Sequence, residues 1–275
     1  PSLEELENRY VKLNGRNDLS SFMLGFHAEY TCSRELLESI SKLAHKYQAP
    51  VFMHNSETAS EVKECVERYG VTPTVFFDQL GIFDYGGGGY HCVHMTDDDF
   101  AVMKKRDLTA VTNPASNLKL ASGICPTSRF LKEGIRMAIG TDGPASNNCL
   151  DMFREMFLVT GLAKYRDQDA SSTDADDVLY MATVNGAKAM GLSDCETLSV
   201  GSKADIIMID LHMPNMQPVH NIPKNIVYAG SKQNVKMTMI DGKILYEDGN
   251  FHIGVDPENV YRECEKISKR LYQED

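Results

Sequence analysis

From residue 21 onward the chain repeats one pattern: a short apolar run, a polar or glycine-containing loop, then an amphipathic helix. Repetition of that unit predicts a parallel sheet, because a parallel neighbour needs a crossover connection and the helix supplies it. Five units are legible. "SFMLGF" precedes a helix with Ser33 as N-cap and Leu36, Leu37, Ile40, Leu43 and Tyr47 along one stripe. "PVFMH" leads to a helix ending near Tyr69, with Gly70 as a left-handed cap. A short "YHCV" passes through Thr96 into three aspartates, which complement the positive end of a helix. "LTAVTN" precedes a brief helix ending near Gly134, and "IRMAIGTD" precedes a long helical stretch.

Near Val200 the pattern changes, for "KADIIMIDL", "NIVYAG" and "VKMTMIDGKILYEDG" are strand-like with no helices between them. Asp241-Gly242 between two apolar runs predicts a two-residue hairpin, since both turn positions favour positive φ. From Asp256 a final helix is expected, started by Pro257 and packed through Val260, Cys264, Ile267 and Leu271.

A chain of 275 residues with 42% apolar composition can bury a sizeable core. No apolar run approaches the roughly 20 residues that cross a bilayer, and no basic-then-apolar leader opens the chain, so a soluble, cytoplasmic protein without a membrane partner is expected. The net charge of −11 and the lack of a basic stripe argue against nucleic acid. Seven cysteines, an odd number with no Cys-x-x-Cys, point to reduced thiols, among them Cys92 as core filler beside a site.

The residues able to do chemistry fall at strand ends: His27, His54 with Glu57, His91, Asn113 with Asn117, and Asp142. Each has an ordinary reading. A strand-end histidine is often a satisfied core or loop residue, Asp142 sits in a glycine-flanked turn, and Asn113-Pro114 can simply start a turn. Five successive strand ends carrying such residues favour function, because in a (β/α) barrel those loops converge on one mouth. His54 and Asp142 supply the imidazole and carboxylate that borderline divalent metals take. Glu57 is placed to exchange protons with a metal-activated water, and His91 to polarise the attacked centre.

"HAEYTCS", "HNSETASEV", "HCVHM", "NPASNLKLASGICP", "GTDGPASNNCLDMFREM", "VGSKADIIMIDL" and "MIDGKILYEDG" together resemble the amidohydrolase superfamily. Within it they resemble the branch of 5'-methylthioadenosine/S-adenosylhomocysteine deaminases and s-triazine chlorohydrolases, over residues of about 21 to 250. The resemblance implies an α/β fold, a (β/α)8 metal-dependent hydrolase barrel with an accessory β-sandwich, and one divalent metal, zinc or iron. It implies that residues 1–198 hold barrel strands four to eight, and residues 199–275 part of the sandwich and a closing helix. By the same resemblance His54 and Asp142 are metal ligands, and Glu57, His91 and Asp142 are catalytic. His27, Glu57, Asn113 and Asn117 contact the substrate, a small heteroaromatic molecule.

Two departures stand out. No histidine precedes His27, so the family's His-x-His metal pair has no counterpart and the chain reads as a C-terminal portion of the architecture. Glu29 replaces a usual proline, which predicts a charge beside the substrate histidine and altered specificity. Three functions follow: hydrolytic deamination of an aminated ring, foremost the adenine of methylthioadenosine or S-adenosylhomocysteine, by a metal-bound hydroxide; a triazine-type chlorohydrolase; or a non-catalytic truncated barrel. With only two protein ligands the metal is expected to bind weakly, and open sheet edges predict a homo-oligomer.

Overall fold

The computed structural model describes residues 2–272. Five strands form a parallel sheet in sequence order: β1 Leu24–Gly25, β2 Val51–Asn55, β3 Gly87–His91, β4 Thr109–Thr112 and β5 Arg136–Ile139. Between them lie α2 Arg34–Tyr47, α3 Ala59–Tyr69, α4 Pro73–Gln79, α5 Asp97–Lys105, α6 Pro114–Lys119 and α7 Thr127–Lys132, after an N-terminal α1 Leu3–Leu13. Beyond β5 come α8 Pro144–Asn147, α9 Met152–Asp167, α10 Ala175–Ala182 and α11 Val184–Ala189.

The helix starts follow from their caps. Ser33 accepts from the Leu36 amide, and Thr96 forms a reciprocal capping box with Asp99. Gly70 closes α3 with a φ of 76°.

The sheet has two apolar faces. Leu24, Val51, Met53, Ala110, Met137 and Ile139 pack with the helices, while Phe52, Val111 and Ala138 cluster on the other face with Met23 and Tyr90. Strand alternation places His54 on the second face, two residues after Phe52, and the register lines it up with Tyr90 and then Val111 and Ala138. Parallel pairing brings the C-terminal ends of all five strands to one edge, where ligand sites of α/β folds are built.

Several sequence expectations are corrected. The first strand is two residues long rather than the whole of "SFMLGF". The third runs Gly87–His91, so Cys92 and Val93 lie beyond it. Its glycines are demanded by contact: a Cβ on Gly88 would lie 2.0 Å from the Thr109 carbonyl oxygen. Helix α4, after Gly70, was not anticipated at all.

A second, antiparallel sheet joins β6 Ile206–Ile209, β7 Val235–Ile240, β8 Lys243–Glu247 and β9 Asn250–Phe251, while "NIVYAG", expected as a strand, is helical over Asn225–Ala229. Asp241 and Gly242 make the expected turn, at φ of 48° and 75°. The final helix, Pro257–Tyr272, forms but does not pack. Val260, Ile267 and Leu271 are 42%, 47% and 68% exposed, and none of its residues is buried. Periodicity fixed its apolar face without supplying a neighbour for it. All seven cysteines are free thiols.

Candidate active site

Four strand-end residues other than glycine adopt left-handed backbone: Ser56, His91, Cys92 and Asp142, with φ of 52°, 70°, 49° and 59°. Such conformations persist only where surrounding contacts enforce them, and they gather at functional loops. For His91 the consequence is direct. Its register partner is Asn55, so strict alternation would turn its ring away from His54, yet the two rings stack with centroids 5.2 Å apart. The break in alternation re-aims the ring.

His54 is oriented by β1. Its Nδ1 lies 2.8 Å from the His27 carbonyl oxygen, which only an N–H can satisfy, so the proton sits on Nδ1 and the Nε2 lone pair is free. The His27 ring packs 4.6 Å from that of His54, and its Nδ1 lies 3.1 Å from the Thr31 hydroxyl. The backbone therefore brings His27 and His54 together.

His91 is buried and fixed in the same manner. Its Nδ1 donates to Asn117 Oδ1 at 2.7 Å, leaving Nε2 3.6 Å from Glu57 Oε2. The other Glu57 oxygen accepts from Ser122 Oγ at 2.9 Å, and the Ser122 carbonyl is in turn held by His94 Nε2 at 2.7 Å. Asn117 thus stands behind His91, and its own amide nitrogen is buried without a hydrogen-bond partner. Asn113 is buried at the start of α6, its Oδ1 only 2.3 Å from where a Cβ on Gly140 would stand.

Asp142 accepts from Ser116 Oγ through Oδ2 and from the Gly143 amide through Oδ1, both at 2.6 Å. Burial pushes its carboxyl up, but the Ser116 hydroxyl, the Gly143 amide and the nearby His91 and His54 outweigh that and hold it below the ordinary value. The carboxylate is kept charged toward the two imidazoles.

Sequence reasoning did not single out Ser116, Ser122, Glu61 or Glu155. Glu155, fully buried on α9, accepts from the Ala115 amide at 3.0 Å and from Asn147 Nδ2 at 2.8 Å. That amide nitrogen also donates to the Thr141 carbonyl at 2.7 Å, so one carboxylate ties the first turn of α6, which bears Ser116, to the loop bearing Asp142. Only Glu61 left a local signal, the Thr-x-x-Glu capping box.

Glu29 is corrected. It is 1% exposed and paired with Arg68 of α3 through two hydrogen bonds, Nε at 3.2 Å and Nη2 at 2.5 Å, so it belongs to the wall and not to the mouth. Nearby Cys65 is pushed up to about 12 by burial and by the Glu29 charge.

For a divalent cation the donor chemistry fits: an imidazole with an oxygen on its second nitrogen, and a charged carboxylate. These are two protein donors, and no group of three or more His, Cys, Asp or Glu side chains poised for a metal occurs among the described residues.

The amidohydrolase family profile matches residues 3–245. A 5-methylthioadenosine/S-adenosylhomocysteine deaminase of Caldanaerobacter subterraneus is 41% identical over 98% of this chain and 62% of its own length. A 5'-deoxyadenosine deaminase of Methanocaldococcus jannaschii is 38% identical over 97% of this chain and 64% of its own. Among solved structures, an adenosine deaminase of Xanthomonas campestris with bound zinc superposes at a TM-score of 0.90, with 33% identity, over 98% of this chain and 61% of that one. An atrazine chlorohydrolase of Arthrobacter aurescens with zinc, 20% identical, shares the fold at a TM-score of 0.87, over 96% of this chain and 58% of that one. The chain spans about three fifths of the length of the relatives it matches. With its parallel sheet, its strand-end histidines and this extent of similarity, the chain belongs to the amidohydrolase family, whose fold is the α/β metal-dependent hydrolase barrel.

Proposed function

We propose that this chain carries the catalytic strand ends of a hydrolytic deaminase acting on the adenine ring of a 5'-substituted adenosine, with methylthioadenosine and S-adenosylhomocysteine as the foremost substrates. The observation that carries the reading is the Glu57 carboxylate, held by Ser122 and facing His91 Nε2 beside the His54 and Asp142 pair. The deaminase names of relatives near 40% identity support the substrate class.

His54 and Asp142 would hold the cation, zinc by analogy with the solved relatives. When bound, it supplies the Lewis acidity that makes water reactive at neutral pH. Glu57 takes one proton from the attacking water and delivers it to the ring nitrogen, then takes the proton of the newly added hydroxyl and delivers it to the departing ammonia, leaving a ring carbonyl. His91, its proton fixed on Nδ1 by Asn117, offers Nε2 to the group that forms at the attacked carbon. His27 and Asn113 bound the substrate, and Asn117 acts through His91.

We assign the five parallel strands to strands four to eight of the barrel, within residues 1–198, and the antiparallel sheet to part of the sandwich, within residues 199–275. The reading is tested by ammonia and chloride release from methylthioadenosine, S-adenosylhomocysteine, 5'-deoxyadenosine, guanine and chlorinated triazines. Ammonia from the 5'-substituted adenosines is expected. Chloride from a triazine with no ammonia from any nucleoside would replace the reading by a chlorohydrolase.

β1 and β5 end the sheet, and unpaired strand edges recruit partners. Light scattering is expected to give a mass above that of one 30.7 kDa chain; a monodisperse monomer would remove the homo-oligomer from the proposal.

A further inference from the structure

Glu61 lies in the first turn of α3 and is 4% exposed. Its carboxylate is balanced by backbone amides. Oε1 accepts from Ser56 at 3.0 Å, and Oε2 accepts from Glu57 at 2.7 Å and from Thr58 at 3.4 Å. A helix-capping role accounts only for the longest of these, the bond to the N-cap residue Thr58. The two shorter bonds reach past the helix into the loop after β2, where Ser56 holds its left-handed φ of 52°.

The Ser56 peptide group is pinned from its other side too. Its carbonyl accepts from the amides of Val93 at 3.1 Å and His94 at 2.9 Å, on the loop that follows His91. One short stretch of backbone therefore couples the β2 and β3 loops, and Glu61 fixes its amides. The Glu57 side chain leaves from this stretch to meet Ser122 at 2.9 Å and His91 at 3.6 Å.

We propose that Glu61 is the positioning residue for Glu57: its buried carboxylate holds the Ser56 and Glu57 amides so that the Glu57 carboxylate faces His91. The proposal rests on the deaminase reading for its kinetic consequence and on the backbone geometry alone for its structural one.

The test uses Glu61→Gln in the whole chain. This isostere keeps one acceptor oxygen and sets an amino group against the other amide. Thr58→Ala serves as comparison, because it removes the hydroxyl that caps the Glu61 amide at 3.2 Å and leaves the Glu57 amide held. In Glu61→Gln the backbone amide resonances of Ser56 and Glu57 should shift and their hydrogens exchange faster, since hydrogen bonds to a charged acceptor are the stronger ones. Turnover should fall about 100-fold with KM unchanged, the scale of a small misplacement of a catalytic group. Thr58→Ala should leave kcat and the Glu57 amide as in the wild type. An unmoved Glu57 amide in Glu61→Gln, or an equal loss of kcat in both variants, would overturn the proposal. If the wild type releases no ammonia from any nucleoside, the deaminase reading fails and the amide measurement alone decides the role of Glu61.

Discussion

Glu57→Gln should lower turnover by about 10²- to 10⁴-fold, the usual contribution of a positioned acid-base group, while the bound divalent cation is retained. Gln keeps the shape and can still accept from Ser122 Oγ, but it cannot take up a proton. Asp142→Asn should behave differently. It removes the charge that His54 and His91 face and replaces one acceptor oxygen with an amino group opposite Ser116 or the Gly143 amide, so metal and turnover should disappear together. Elemental analysis after dialysis against a mild chelator, paired with ammonia release, separates the two. Full metal content in Asp142→Asn would remove that residue from the ligand set, and loss of metal in Glu57→Gln would make Glu57 a ligand instead of a shuttle.

The second large effect is on stability. Arg68→Ala would leave the Glu29 carboxylate, 1% exposed, without its two guanidinium hydrogen bonds. A broken buried pair costs several kcal/mol, and because the Arg68 side chain keeps 37% of its surface in water, about 3 kcal/mol is expected. Urea unfolding should show the loss as a lower midpoint with unchanged slope. Glu29→Gln in the same chain should recover part of it, since the buried charge is then gone. Equal midpoints for wild type and Arg68→Ala would mean that Glu29 is solvated or otherwise paired.

Glu29 also marks a limit of what the sequence disclosed. Its neighbour His27 suggested the mouth, yet its partner lies 39 residues away on α3. Local chemistry was legible where it is local: the caps at Ser33, Gly70 and Thr96 and the Asp241-Gly242 turn all read directly. The run Gly87-Gly88-Gly89 carries no hydrophobic period, because that stretch of β3 is chosen for close backbone approach and not for side-chain burial. Of the site, the strand-end positions were legible and the supports were not. Ser122 reaches Glu57 across 65 residues and Glu155 reaches Ala115 across 40, separations at which no spacing rule operates. The stripe on Pro257–Tyr272 identified an apolar face and could not say whether anything covers it.

In the proposed site His54 and Asp142 converge on one divalent cation with Glu57 and His91 beside it. Anomalous scattering at the zinc edge, from crystals of this chain grown with zinc, is expected to show a peak about 2.0–2.2 Å from both His54 Nε2 and an Asp142 carboxylate oxygen. Ordered zinc elsewhere, with His54 and Asp142 free of it, would remove both residues from the metal site.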